Sequence, residues 1–373
     1  MIIKPEEYRE RIVNQIGDLM DGEDEDKEIH EARKAMARLM SEPDIIRGSN
    51  EFKYLKEDKK YPLAYNYSEW IKNIFPQIRS AFAMLRDLYG NKILGLKELY
   101  AAFYTATKEK YAYVDDLSVK LLWQNAKNTM EFSYNFDITK QIYNFDKECF
   151  EFLMQDTDVK KIPYKILNDN LPVEAFAIDN EFSAGKLNIT QTFVLKNFDH
   201  EGKKQLGVLF LTEKPDYDYV YVHFPLEDVD NKNYDTDLME KIEKEIQNVG
   251  KDTVEALYKI IPCIVYLCAQ NKELRPLKER NGLEKNREKY RAKKGIKTND
   301  VGYYMGSQIK KNKVRYASGG FTGTGSSKRP HIRSGHFHHY WTGEGRTELT
   351  VKFVESTFVN GSVDKVVVHK VKK

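Results

Sequence analysis

The chain has 373 residues, 41% hydrophobic and 12% aromatic, enough apolar material for a packed core and for two or three domains, which excludes global disorder. Three cysteines, Cys149, Cys263 and Cys268, form no C-x-x-C pair, which argues against a disulfide scaffold and fits a reducing cytosol. Net charge is only +3, but residues 272–373 hold 24 Lys/Arg against 9 Asp/Glu, a balance of +15 that leaves −12 for the rest.

Such a bipolar chain either presents its basic end to an anion (nucleic acid, ribosome, acidic protein face) or neutralises itself between its halves. The start, MIIKPEEYRERIVNQIGDLMDGEDEDKE, is acidic and lacks an apolar signal core, so no secretory leader is expected. The longest apolar run, IIPCIVYLCA at 260–269, is ten residues, too short to span a bilayer.

Residues 1–50 read as helical and charged, with Ile12, Ile16 and Leu19 on one face. Residues 69–90 keep a 3.6-residue period through Ile71, Ile74, Ile78, Phe82 and Leu85, and Pro76 either kinks this helix or starts it. Further helices are expected near 96–108, 115–130 and 139–155. The pattern then turns to β-rich runs at 174–179, 187–196, 206–212 and 219–225, separated by turn-formers, which predicts an antiparallel meander. A helical pair follows, one part through Leu238, Met239, Ile242 and Ile246, the other after Gly250 and carrying Pro262. Residues 272–315 hold 15 basic and 5 acidic residues with little apolar period, which reads as a mobile linker or a nucleic-acid-seeking segment. SGGFTGTGSS at 318–327 reads as a loop, and 349–371 as two or three short strands.

The segment KRPHIRSGHFHHYWTG at 328–343 holds four of the eight histidines: His331, His336, His338 and His339. If 334–341 is a strand, His336, His338 and Tyr340 share one face, and Phe337, His339 and Trp341 the other. The plain structural reading packs Phe337 and Trp341 into the core and exposes the His/Tyr face. Three functional readings stand beside it. A metal site would use His336 and His338 as an i, i+2 pair with His331 as a third ligand, but it lacks a nearby Cys. General acid–base work suits a His near neutrality, but no Ser, Cys or Asp sits at a telling spacing. Nucleic-acid or peptide binding suits the mixture best, because Arg329 and Arg333 can fork onto phosphates or carboxylates while the rings stack or clamp.

The stretch RPHIRSGHFHHYWTG, followed by LTVKFVESTFVNG, resembles the C-terminal signature of a phage- and plasmid-borne family that includes the second-described type V-A anti-CRISPR protein. The shared positions are Arg329, Pro330, His331, Arg333, Gly335, His336, His338, Tyr340, Trp341 and Gly343, then Phe358, Val359 and Asn360; Phe337 stands where the family has Trp. IPYKILNDNLPVEAFAID (162–179) and ALYKIIPCIVYLCAQNKEL (256–274) are similar in place and character, so the resemblance covers roughly 160–360. It implies a cytoplasmic protein of the bacterial host cell and a non-enzymatic factor. Its partner would be the nascent polypeptide of a type V-A CRISPR effector, with the ribosome or mRNA also in reach, and its effect a lowered effector message and protein. No cofactor, small-molecule substrate or membrane is expected. An RNA-binding or RNA-processing protein of a mobile element is the alternative.

These readings together give an α+β chain: a helical domain at 1–155, a central antiparallel sheet with packed helices at 156–271, a basic linker at 272–327, and a small basic β-rich domain at 328–373. The expected binding residues are Arg329, His331, Arg333, His336, His338 and Tyr340 in the box, with Lys293, Lys294, Lys310 and Lys311 before it. Phe337 and Trp341 are expected to hold the box in place.

Overall fold

The computed structural model describes residues 62–74, 76–159, 162–198, 203–212, 219–226, 238–245, 249–276, 289, 291–317, 331–333, 335–355 and 357–359. The helices expected in residues 1–50 and the loop expected at 318–327 lie outside them.

Four helices come first: α1 (Leu63–Ile74), α2 (Pro76–Tyr89), α3 (Leu96–Lys110) and α4 (Asp116–Thr139). The described part of α2 opens at Pro76, and Phe75 before it lies outside the described residues. Asp115 caps α4, its carboxylate accepting from the Ser118 backbone N–H at 2.7 Å. Next come β1 (Gln141–Phe145), α5 (Lys147–Asp156), β2 (Thr157–Asp158), α6 (Lys165–Asp169) and β3 (Ala175–Ile178). The strands β4 (Phe182–Ala184), β5 (Leu187–Phe198), β6 (Lys204–Thr212) and β7 (Tyr219–Pro225) precede α7 (Leu238–Glu245) and α8 (Lys251–Cys268). Then follow β8 (Leu274–Pro276), β9 (Lys297–Val301), α9 (Tyr303–Ala317), β10 (His331–Arg333), β11 (Gly335–Thr342), β12 (Glu348–Val354) and β13 (Thr357–Val359).

The main sheet runs β7-β6-β5-β3-β1-β9-β8, with β4 on β5. The expected antiparallel meander is its β3-β5-β6-β7 half. The other half corrects the sequence reading. The stretch expected as helix over 139–155 opens with β1, which pairs in parallel with both β3 and β9, so the sheet is mixed. The expected linker at 272–315 supplies β8, β9 and α9. Lys297, Thr298, Asn299 and Asp300 lack an apolar period, and their strand is set by β1 alongside; only Val301 enters the core.

Both faces of the sheet are covered, which is why the central strands read as apolar runs. On one face Ile142, Ala175, Ala177, Phe193, Leu195, Leu209 and Leu211 pack with α1–α4. On the other, Tyr143, Phe145, Phe176, Ile178, Val208 and Phe210 pack with α5, α8 and α9. The helical layer is pinned by Asp137 of α4, which pairs with Lys72 of α1 at 3.3 Å, Arg86 of α2, and Lys140 at 3.4 Å. Burial pushes the Asp137 pKa up, but these three cations outweigh it and hold the carboxyl below its ordinary value.

Glu131 of α4 is the opposite case. It is fully buried against the sheet, where Asn197 of β5 donates to it. Burial lifts its pKa to about 8 from an ordinary 4.5, against the pull of Asn197 and Lys127. The folded chain therefore holds this proton more tightly than the unfolded one. The stability this gives is complete below about pH 4.5 and is lost as pH rises through about 8. Glu131→Gln should flatten that loss: melting temperatures compared between pH 5 and pH 9 should fall less for the variant than for the parent, and parallel curves would contradict the burial argument.

Candidate partner-binding face

The box forms the middle strand of a three-stranded sheet, with β11 antiparallel to β12 and parallel to β2. The ladder sets Phe337 opposite Phe353, His339 opposite Val351 and Trp341 opposite Leu349, and this face turns inward. Phe337, Phe353, Val351 and Leu349 are buried; Phe337 and Phe353 have ring centroids 5.1 Å apart, and Phe353 also meets Phe152 and Tyr266 edge-on. Gly335 is required where β11 enters this layer, because a Cβ there would sit 2.7 Å from the Phe152 ring and 2.8 Å from the Phe353 ring. The far edge of β12 is clamped by Asn271, just past α8. Its Oδ1 accepts from Phe353 N and its Nδ2 donates to Phe353 O, both at 2.8 Å.

The opposite face turns outward. His338 and Tyr340 are exposed and stack with ring centroids 4.6 Å apart. Lys352 stands across the ladder from His338, with its ammonium 5.7 Å from the Tyr340 ring centre. Two expectations need adjustment. His336 is half-buried rather than open, and Trp341 is half-buried beneath the Lys165 ammonium, 5.8 Å from its ring centre, so Phe337 is the deeper anchor.

Of the other expected site residues, His331 and Arg333 lie on β10, paired with β13. Their side chains, and Arg329 altogether, lie outside the described residues. Lys293 and Lys294 precede β9, and Lys310 and Lys311 lie on α9; all four are exposed. Among the described residues no three His, Cys, Asp or Glu side chains come together to hold a metal, and no helix is long and apolar enough to cross a membrane.

Sequence reading missed Lys352, although the alternation of TVKFV would have turned it outward beside the histidines. It also missed a cavity of about 1170 Å³ beyond the carboxyl ends of β1 and β3. Its wall carries Lys147, Glu151, Asp179, Glu181, Lys259 and Arg291. Burial pushes the Asp179 pKa up, against the pull of Arg291. Asn180 fixes the rim, accepting from Phe145 N at 2.8 Å and donating to Phe145 O at 3.0 Å.

A mixed sheet covered on both faces, with a strand of the smaller sheet presenting rings and a cation to solvent, defines an α+β protein. The chain belongs to the AcrVA2-like family, the anti-CRISPR type V subtype A2 family, whose model matches residues 143–361, more than half of the chain. The crystal structure of AcrVA2 is similar at a TM-score of 0.48 and 17% identity, over 79% of this chain and 97% of that one. No curated protein matches the chain.

The two faces of β11 should separate on mutation. Phe337→Ala should cost about 3–5 kcal/mol, as large-to-small core changes do. His338→Ala should cost about 0.5 kcal/mol or less, as exposed substitutions usually do. Denaturant unfolding of both variants checks this, and equal losses would place His338 in the core.

Proposed function

We propose that the protein is a non-enzymatic inhibitor of type V-A CRISPR systems that acts on biogenesis of the effector. In this reading it binds the effector's nascent polypeptide in the cytoplasm of the host cell and lowers effector message and protein. Membership of the AcrVA2-like family over residues 143–361 carries the reading. The outward face of β11, with His338, Tyr340 and the neighbouring Lys352, is the contact surface assigned to the effector; Arg329, His331, Arg333 and His336 are kept as binding residues on the sequence pattern of the box. The exposed Lys293, Lys294, Lys310 and Lys311 suit a second, electrostatic contact with ribosome or mRNA, where each neutralised phosphate releases counterions.

The physical support is preorganisation. Phe337 and Phe353 fix the strand from below and Asn271 fixes its partner's edge, so a peptide meeting this face orders few protein side chains on binding.

Co-expression with a type V-A effector tests the reading. Effector message and protein should fall several-fold when the native coding region is present and recover when it is recoded to an unrelated polypeptide. A His338→Ala/Tyr340→Ala double variant should keep the parent's melting temperature and lose most of the suppression. Loss of bulk RNA regardless of coding sequence would favour an RNA-processing activity instead, and unchanged effector levels would refute the proposal.

A further inference from the structure

The edge of the main sheet carries a second cluster of rings and cations. β8 is the last described strand of the sheet, and a single residue, Gly302, separates β9 from α9. Gly302 has φ +66, and a Cβ there would collide with Cys149, so this tight turn sets the helix start rigidly against α5. Glu273 is committed to that start, accepting from Tyr304 N at 2.8 Å and from Met305 N at 3.2 Å. Met305 and Ile309 anchor α9 in the core. The first two residues of the helix, Tyr303 and Tyr304, are thereby turned to solvent, 37% and 60% exposed.

Arg275 of β8 completes the cluster. Its guanidinium lies 4.3 Å from the Tyr303 ring centre and 4.5 Å from that of Tyr304, and it donates to the Tyr304 hydroxyl at 3.3 Å. The two tyrosine rings meet edge-on at 5.5 Å. Two helical turns further on, Lys310 and Lys311 stand seven residues from Tyr303 and Tyr304 and are exposed. Seven residues bring a helix back to nearly the same face about 10 Å along its axis. The surrounding sequence, 289–317, holds nine Lys/Arg and one acid, Asp300, which stands across the ladder from Arg275.

We infer that Tyr303, Tyr304 and Arg275 form a stacking platform for single-stranded RNA, with Lys310 and Lys311 meeting its phosphates. An exposed ring already stiffened by a guanidinium offers a base a flat face at little entropic cost, and aligned lysines supply the charge that a nucleic-acid backbone requires. An acidic peptide would use the lysines but would draw little from the rings, so the rings favour RNA. The platform deepens the mRNA contact proposed above for Lys310 and Lys311; it is separate from the β11 face and stands whether or not that face recognises an effector.

The test is fluorescence anisotropy of the full chain with a labelled oligouridine of about 12 nucleotides, a length within the range single-strand-binding sites span. Affinity should fall steeply with salt. Tyr304→Ala should weaken binding about 5- to 150-fold, the equivalent of about 1–3 kcal/mol for a lost stack, with the salt slope unchanged. Lys310→Gln/Lys311→Gln should reduce the slope by about 1.4, or roughly 0.7 per lost phosphate contact on a single strand. Both variants should keep the parent's circular dichroism and melting temperature. The platform is refuted if the parent does not bind the oligonucleotide, or if Tyr304→Ala and Tyr303→Ala each bind as the parent does. It is also refuted if polyglutamate competes as well as oligouridine, which would make the surface a general anion site.

Discussion

Strand β1 is hydrogen-bonded in parallel on both sides, to β3 and to β9, and most of the molecule follows from that position. A parallel neighbour cannot be reached by a hairpin, so each side of β1 demands a crossover. The connection to β3 carries α5 and α6, and β9 arrives only after the meander and α8. The ends of β1 and β9 converge: Asp146 N, just past β1, donates to Val301 O at the end of β9 at 2.9 Å, while the Asp146 carboxylate caps α5 through Glu148 N and Cys149 N. Cys149 then fills the space that Gly302 leaves open. The turn after β1 and the turn after β9 are therefore built against each other, and each depends on the other for its partners.

How far this was legible in the sequence depends on where each element draws its stability. The meander and the box announce themselves by alternation, because one pleat face meets core and the pattern is local. Helices α1–α4 and α8 do so by period. β1 does not: QIYNF is short, and Ile142, Tyr143 and Phe145 suit a continued helix as well as a strand buried on both faces. KTNDV of β9 has a single core residue, Val301, and owes its conformation to five register partners on β1. Such a strand is invisible until its neighbour is known, and its surroundings of Lys and Arg made it resemble a linker.

The box shows the converse. Its two faces were separable from sequence, but how firmly they are held was not. Trp341 is the larger ring, yet Phe337 is deeper, because Phe337 sits opposite Phe353 beneath the layer built by Phe152 and Tyr266, while Trp341 lies near the end of β11, partly covered by Lys165. Asn271 could not have been singled out at all, since its role depends on meeting the Phe353 backbone 82 residues away.

The bipolar charge of the chain acquires a physical meaning from this arrangement. Among the described residues before 272, several acidic groups pair with cations of the same part: Asp137 with Lys72, Arg86 and Lys140, Asp169 with Lys165, and Glu255 with Lys259. The basic portion instead contributes strands and a helix whose apolar sides complete the core and whose charged sides stay in water. β12 buries Val351 and Phe353 while exposing Lys352, and α9 buries Met305 and Ile309 while exposing Lys310 and Lys311. Burial of one side fixes the geometry of the other, so the same contacts that make these segments part of the fold hold their cations and rings in place. A mobile basic tail would supply equal charge but would lose its freedom on binding; a basic segment folded into the sheet has already met that cost.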